Sequence, residues 1–313
     1  MPENGCSGCC PGNECRLANF KLDHPHPRLF MTARWNVGQG WFVAYRVIAA
    51  AFWLSWTIAS VVWNYGWYTY EENRFLWIIY LTDWNLTLMT LRAIVHASVA
   101  IYYLHRTRSG TLVFTSMPLY LRFLWVLFNL STTAALVITG FYWVAAYADS
   151  TSLLSADLLN HAANTIYVIM DVIVVAIPYR ILHIFQPMLY AVTYLVFAAI
   201  YQVSGGLSAS DKPYIYRALD WIQAPKTAAM YTALSVFGVT PVAYAILFGL
   251  SKAREAIYDR WFAHKQNDQH GDFNEAFDYT ELGEAEAASQ TSRKDHAGTP
   301  LKENTSGDNK YVT

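Results

Sequence analysis

Residues 75–103, FLWIIYLTDWNLTLMTLRAIVHASVAIYY, are long and apolar enough to cross a bilayer as one helix. This run nevertheless contains Thr82 and Arg92, ten positions apart. A second apolar run, residues 155–179, carries His161 and Asp171 at the same separation. Polar groups inside hydrocarbon are unfavourable and usually face a partner or a water-filled cavity. The matched spacing therefore predicts two layers of contact between two parallel helices.

The composition of the whole chain indicates a membrane protein. Of its 313 residues, 54% are hydrophobic, 16% are aromatic and only 14% are charged. Soluble domains carry about 25% charged residues. The net charge of −1 gives no reason to expect a nucleic-acid partner. The first forty residues lack the apolar core of a signal peptide, so we expect the first membrane helix to be retained.

We predict an all-α fold, an integral membrane bundle of six transmembrane helices. Each span needs about 20 mostly apolar residues, and the runs here are too continuous for transmembrane β-strands. Pro241 is expected to kink the last span, which neighbouring helices tolerate. The predicted spans are residues 41–64, 75–103, 118–147, 155–179, 184–203 and 229–251.

The placement of Lys and Arg predicts that both termini lie in the cytoplasm. With six spans, twelve of these residues fall on the side of the termini and four on the other side. Positive charge concentrates on cytoplasmic segments of membrane proteins. Arg46, early in the first span, is expected to extend back to the cytoplasmic face. The predicted location is the plasma membrane, with several passes.

Three regions follow from the change in composition along the chain. Residues 1–40 form a cytoplasmic tail that contains cysteines, residues 41–251 the six-helix domain, and residues 252–313 a cytoplasmic acidic tail. From about Phe262 onward the chain is too polar to bury a core, so we expect it to be largely disordered.

All four cysteines lie near the amino terminus, so no disulfide can brace the loops. On a cytoplasmic tail, such a cluster favours S-acylation. A zinc site and unmodified thiols are the alternatives, although the spacing lacks two separated C-x2-C pairs. The predicted lipidation sites are Cys6, Cys9, Cys10 and Cys15.

Several short stretches resemble the rolling stone family of multi-pass membrane proteins. Together they cover about residues 40–250, nearly the whole predicted bundle. The family is associated with myoblast fusion, so the resemblance implies a role in cell–cell fusion or adhesion. The stretches are YLTDW (80–84), NHAAN (160–164) leading to Asp171, IPYR (177–180), YQVSGG (201–206) and YIYRALDW (214–221).

A more distant similarity is to the androgen-induced gene family of membrane hydrolases. Those proteins use an intramembrane threonine nucleophile and a histidine to cleave branched fatty acid esters of hydroxy fatty acids. Thr82, after Leu81, is similar to their threonine position, and His161 is similar to their histidine. The resemblance implies an intramembrane lipid esterase.

The residues themselves are consistent with acyl transfer in the upper layer. Thr82 and His161 both lie roughly 10 Å below the predicted outer boundary. A threonine hydroxyl needs a base to take its proton, and neutral imidazole can do this and later protonate the leaving alkoxide. The alternatives are a threonine bonded to its own helix and an interfacial histidine. Candidates for orienting the imidazole or stabilising an oxyanion are Asp83, Asn160, Asn164, Asn85, Trp84 and Tyr80.

The lower layer, about 15 Å deeper, is predicted to be structural. Arg92 and Asp171 are expected to form a buried ion pair, in which losing one partner leaves an uncompensated charge. Exchanging the two residues is therefore expected to restore expression that either single change loses.

Two functions follow from these expectations. The favoured one is hydrolysis of lipid fatty acid esters, with Thr82 as nucleophile, His161 as base and a lipid-ester substrate. The alternative is a non-enzymatic membrane protein of cell–cell fusion or adhesion with a membrane-protein partner. Neither requires a cofactor, and no metal is expected because no histidines are paired at helical spacing. The loop near residues 204–228 is either a lid or a short interfacial helix.

Overall fold

The computed structural model describes most of the predicted bundle, more than half of the predicted amino-terminal tail and the beginning of the acidic tail. The chain divides into two units, Met1–Arg260 and Trp261–Thr313. The described residues are 14, 16–62, 76–111, 114, 116–143 and 158–263, without the side chains at positions 18, 158–160 and 263. The four cysteines and the acidic tail after residue 263 lie outside this description.

Helices make up most of the described part of the first unit. Among the described residues, five stretches are long and apolar enough to cross a membrane, and a sixth, His161–Val174, is shorter. In order, the helices are α1 (Gln39–Val62), α2 (Leu81–Arg108), α3 (Leu119–Phe141), α4 (Asn164–Val174), α5 (Phe185–Val203), α6 (Pro225–Leu234) and α7 (Thr240–Tyr258). Short 3-10 turns cover Leu17–Phe20, Pro27–Phe30, Ile181–Ile184 and Arg217–Leu219, and π-helical turns cover Leu158–Ala163, Ser235–Val239 and Asp259–Ala263.

Helix α2 begins at Leu81, later than the predicted start at residue 75. Residues 76–79 form a separate 3-10 turn. Side chains occupy carbonyls of this turn: the Trp84 indole N–H donates to Ile78 O over 2.6 Å, and the Tyr194 hydroxyl donates to Ile79 O over 2.9 Å. Thr82 consequently lies in the first turn of the helix rather than in its interior.

The fourth predicted span also differs, because α4 ends at Val174 and not near residue 179. Pro178 disfavours helical backbone at the preceding residue, Ile177. Non-helical backbone is tolerated at membrane depth only where protein groups satisfy it. Here the Trp125 indole donates to Pro178 O over 2.9 Å, and the Tyr244 hydroxyl donates to Arg180 O over 2.7 Å.

The segment before α1 packs into the same end of the bundle. Ala33 and Val175 form an antiparallel β-bridge, and the Arg34 amide donates to Val174 O over 2.9 Å. Phe30 and Met31 are fully buried in the core. The predicted boundary at residue 40 therefore does not separate a free tail from the helices, since residues 27–35 supply part of the core and backbone partners for the end of α4.

The docking of this segment is expected to weaken in acid because of His24, which packs edge-on against Trp125 and Phe30. Burial lowers the pKa of the His24 imidazole from 6.5 to about 4, and the Arg180 guanidinium acts in the same direction. The stabilisation is therefore complete above pH 6.5 and is lost as the pH falls through about 4.

Hydrogen exchange at the amides of Leu29 and Met31, corrected for intrinsic rates, should speed up between pH 7.5 and pH 5. These amides donate within the turn, to His26 O and Arg28 O. His24→Phe should weaken the dependence on pH, and any remainder is assigned to His183, a buried histidine that packs on the same Trp125 ring. An unchanged dependence in that variant would assign the effect to another group.

Pro241 is accommodated by a change of helix type between α6 and α7. Proline has no N–H, so the carbonyl four residues earlier, at Phe237, lacks its usual donor. The π-helical turn Ser235–Val239 precedes the proline, and the Thr240 amide donates to Ser235 O. π-Helical turns are rare overall, and those that interrupt α-helices often lie at functional sites.

Residues 204–224 connect α5 to α6 as a folded loop, not as the interfacial helix that was the alternative. Gly205 ends α5 with φ of +80°, a conformation that favours glycine. A Cβ atom on Gly206 would collide with the Tyr201 ring. Asp220 Oδ1 accepts from the Gln202 side chain at 2.8 Å and from the Gln223 amide at 2.9 Å. The loop therefore has a defined shape over the bundle.

Candidate functional site

A cavity of about 470 Å³ lies at the end of the bundle that the 204–224 loop covers. Its size is in the range of small-molecule sites, which are mostly apolar with a few placed polar groups. Apolar and aromatic side chains dominate the lining, among them Val137, Ile138, Phe141, Tyr142, Leu195, Ile215 and Leu219. The polar lining residues include Thr82, Asp83, His161, Ser208, Ser210 and Lys212.

Thr82 lines this cavity from the first turn of α2. Among the described residues, its hydroxyl forms no hydrogen bond. Thr87, one turn later, shows the alternative, since its hydroxyl donates to Asp83 O over 2.9 Å. The interpretation of Thr82 as a threonine bonded to its own helix is therefore not what the structure contains.

His161 lines the same cavity from the π-helical turn before α4. Its ring stacks on Tyr142, with centroids 3.8 Å apart and planes 10° from parallel. Thr139 donates to His161 O over 2.7 Å and accepts from the Thr165 hydroxyl at 2.8 Å. The His161 Nδ1 atom is buried without a hydrogen-bond partner in the described part of the chain. Ring stacking and backbone anchoring therefore set the position of the imidazole.

The structure brings Thr82 and His161 to one cavity but does not join them. Within the described chain, no hydrogen bond links the threonine hydroxyl to the imidazole. Catalytic hydrogen bonds are often long without substrate and shorten in the complex. The shared cavity is thus compatible with an acyl-transfer pair that closes on its substrate.

The other predicted upper-layer residues divide between the cavity and the core. Asp83 and Tyr80 line the cavity, whereas Asn85 and Asn164 are buried outside its lining. The Asn85 amide faces Met89 Sδ at 3.5 Å. The Trp84 indole N–H is already bound by Ile78 O, as described for the turn before α2. The side chain of Asn160 lies outside the described atoms.

Tyr142 is the site residue that sequence reasoning missed. Its only sequence signal was its place among the aromatic residues at the end of the third span, where interfacial aromatics are common. Its stacking on His161 is a tertiary contact between two spans, and the sequence of neither span reveals it.

The lower layer contains a three-residue cluster and not a pair. Arg92 Nη1 lies 3.3 Å from Asp171 Oδ2, and Arg46 Nη1 lies 2.6 Å from Asp171 Oδ1. The Tyr45 hydroxyl also donates to Oδ1, over 2.9 Å. All three charged side chains are at most 1% exposed. The prediction that Arg46 extends to the membrane surface was wrong, because Asp171 offers it a buried carboxylate.

Two guanidinium groups on one carboxylate leave the cluster with one excess positive charge. Aromatic faces partly offset it by cation–π attraction. The Arg92 guanidinium carbon lies 5.3 Å from the Tyr167 ring and 5.5 Å from the Phe128 ring, and that of Arg46 lies 4.7 Å from the Tyr45 ring. The cluster therefore ties α1, α2 and α4 together at one depth.

The described residues give no support for a metal site and do not test the predicted lipidation of the cysteines. Within the described ranges, no group of three His, Cys, Asp or Glu side chains is arranged to hold a metal ion. The Asp220 carboxylate is occupied by the Gln202 side chain and the Gln223 amide. Cys6, Cys9, Cys10 and Cys15 lie outside the described residues, so their S-acylation stays a prediction.

Comparison with known proteins agrees with the resemblance seen in the sequence. The family model described as Protein rolling stone matches residues 7–269. Protein rolling stone of Drosophila melanogaster is 26% identical over 261 residues, which cover 80% of this chain and 91% of that protein. No solved structure matches. Since the family model covers most of the chain, this multi-pass membrane protein belongs to the rolling stone family.

Proposed function

We propose that this protein hydrolyses fatty acyl esters of lipids within the membrane, with Thr82 as nucleophile and His161 as base. The observation that carries the proposal is that both side chains line one largely apolar cavity of about 470 Å³. In the orientation that the placement of Lys and Arg predicts, with both termini in the cytoplasm, the cavity would face the outer leaflet of the plasma membrane. An acyl chain would lie against its apolar lining.

The reaction follows the usual two-step course for an activated hydroxyl. The Thr82 oxygen attacks the ester carbonyl while His161 takes the hydroxyl proton. The tetrahedral intermediate then collapses, and the leaving alkoxide takes that proton from His161 and departs as the alcohol. Water attacks the acyl-threonine, gives a proton to His161 and releases the fatty acid as the threonine oxygen recovers a proton.

The position of Thr82 favours this chemistry for an electrostatic reason. The amides of the first helical turn have no intrahelical acceptor and form the positive end of the helix dipole. The Leu81 amide is occupied by the Tyr216 hydroxyl at 3.1 Å. The Thr82 amide, next in the same turn, is suitably placed to stabilise negative charge on a carbonyl oxygen bound beside its own hydroxyl.

A fluorophosphonate probe tests the nucleophile directly. The purified protein should be labelled, Thr82→Ala and His161→Ala should each abolish labelling, and Thr82→Ser should retain it. Matched controls are Thr193→Ala, a lipid-facing threonine bonded to Leu189 O, and His105→Ala, an exposed histidine. Equal labelling of wild type and both alanine variants at Thr82 and His161 would reject the proposal.

A second proposal is a non-enzymatic membrane protein of cell–cell fusion or adhesion. The observation that favours it is the missing hydrogen bond between Thr82 and His161, whose ring already packs on Tyr142. In that case the polar residues specify packing and the 204–224 loop meets a membrane-protein partner. In a cell-mixing assay Thr82→Ala should then retain full activity, whereas the esterase proposal expects it to be lost.

A further inference from the structure

We propose that Asp83 binds a free hydroxyl group of the lipid. The substrate class is then acyl esters of alcohols that carry a hydroxyl on the carbon adjacent to the one bonded to the ester oxygen. Monoacylglycerols and 1-acyl lysophospholipids share this chemistry. The inference rests on the proposed function of Thr82, because it uses the distance between that residue and Asp83.

The first observation is the environment of the Asp83 side chain. It is 8% exposed and lines the cavity. Among the described residues, no side-chain or backbone group donates a hydrogen bond to its carboxyl oxygens. A buried carboxyl without a donor is unfavourable, so its partner is expected to come from what fills the cavity.

Two tyrosine hydroxyls near this carboxyl accept hydrogen bonds from backbone amides, and neither donates to Asp83 in the described part of the chain. The Tyr80 hydroxyl accepts from the Ala209 amide at 3.0 Å, and the Tyr216 hydroxyl accepts from the Leu81 amide at 3.1 Å. Lys212 is exposed on the loop, and within the described chain no ion pair links it to Asp83. None of these groups donates to the Asp83 carboxyl in the described structure, so a hydroxyl of a bound lipid is free to do so.

The second observation is the position of Asp83 directly after Thr82 in the first turn of α2. Consecutive Cα atoms are about 3.8 Å apart and both side chains line the same cavity, so a lipid attacked by Thr82 can reach Asp83 with a group a few bonds from its ester carbonyl. A hydroxyl on the carbon adjacent to the one bonded to the ester oxygen lies at such a separation from the ester carbonyl. A carboxyl accepts a hydrogen bond from a hydroxyl whether it is ionised or protonated.

The test compares two lipids whose two free glycerol oxygens carry either a hydroxyl hydrogen or a methyl group. Wild-type protein in nanodiscs should hydrolyse 1-oleoylglycerol roughly tenfold faster than its 2,3-di-O-methyl ether, a factor equivalent to about 1.4 kcal/mol. Asp83→Ala should bring the ratio of the two rates near one. Asp83→Asn, which keeps an acceptor oxygen, should retain part of the preference. Equal wild-type rates for the two lipids would overturn the inference, whatever the variants do.

Binding separates this inference from the esterase proposal. Displacement of a fluorescent lipid from Thr82→Ala protein, which has no nucleophile, should also favour 1-oleoylglycerol over the diether. A binding preference without hydrolysis by wild type would retain the role of Asp83 and reject the esterase. Hydrolysis of both lipids with equal rates and equal binding would retain the esterase and reject the hydroxyl site. A 1-acyl lysophospholipid and its 2-O-methyl ether should give the same ratio as the glycerol lipids.

Discussion

Asp171→Ala is expected to lower the yield of folded protein far more than replacing either of its two arginine partners does. Its carboxylate lies 2.6 Å from Arg46 and 3.3 Å from Arg92, and all three side chains are buried. Removing the aspartate leaves two buried cations without a counter-charge, whereas Arg46→Leu or Arg92→Leu leaves a neutral pair. Breaking a buried ion pair costs about 3–5 kcal/mol, a large share of the stability of an ordinary protein.

The measurement is the yield of monodisperse protein in detergent, together with its thermal midpoint. Asp259→Ala is the matched control, because Asp259 pairs with Arg34 at 3.1 Å but is 68% exposed, where such a pair contributes about 0–1 kcal/mol. Replacing all three buried charges with apolar residues should recover much of the loss. Equal losses for Asp171→Ala and the two arginine variants would contradict the two-to-one arrangement.

The cluster also changes the expected result of exchanging Arg92 and Asp171. If Arg92 and Asp171 formed an isolated ion pair, exchanging them would preserve the pair and the fold should tolerate it. In the structure, a new arginine at position 171 would face Arg46, which lies against that side chain. We therefore expect Arg92→Asp with Asp171→Arg to stay poorly folded unless Arg46→Asp or Arg46→Leu is added. Recovery by the exchange alone would argue against the contact with Arg46.

Arg254→Met is expected to destabilise the bundle by about 2–5 kcal/mol, since several buried carbonyls lose their donor. Arg254 Nη1 donates to Val172 O at 2.8 Å and to Val175 O, and Nη2 donates to Ile177 O at 3.3 Å. These carbonyls belong to the end of α4 and the extended chain after it. Arg254 is 2% exposed and these residues are buried, so without the guanidinium the carbonyls are left without a donor.

The thermal midpoint in detergent measures this loss, with Arg260→Met as the control because Arg260 is exposed on the next helical turn. Arg254→Lys should also be destabilised, because an ammonium group cannot reproduce the planar fork of guanidinium donors. Equal midpoints for Arg254→Met and Arg260→Met would mean that the end of α4 does not depend on this contact.

Much of the architecture could be read from local properties of the chain. Long apolar runs with few charges identify membrane helices because the hydrocarbon accepts little else. The family also follows from short motifs, and the family model confirms it. Arg92 and Asp171 could be singled out by the same reasoning, since a charge inside such a run needs a partner.

The ends of the helices were harder to predict, because they depend on side chains far away in sequence. The late start of α2 follows from bonds that Trp84 and Tyr194 make to the preceding turn. The early end of α4 is compatible with Pro178, but only Arg254, Trp125 and the segment before α1 make the extended backbone after it tolerable at that depth.

For the site, spacing and helix rise could place Thr82 and His161 at a similar depth, but depth says nothing about the direction in which a side chain points. Their meeting at one cavity, the stacking of Tyr142 on His161 and the second arginine on Asp171 all depend on how the helices are rotated and packed. Periodicity within a single run contains no information about that rotation, because it is set by contacts with every neighbouring helix at once.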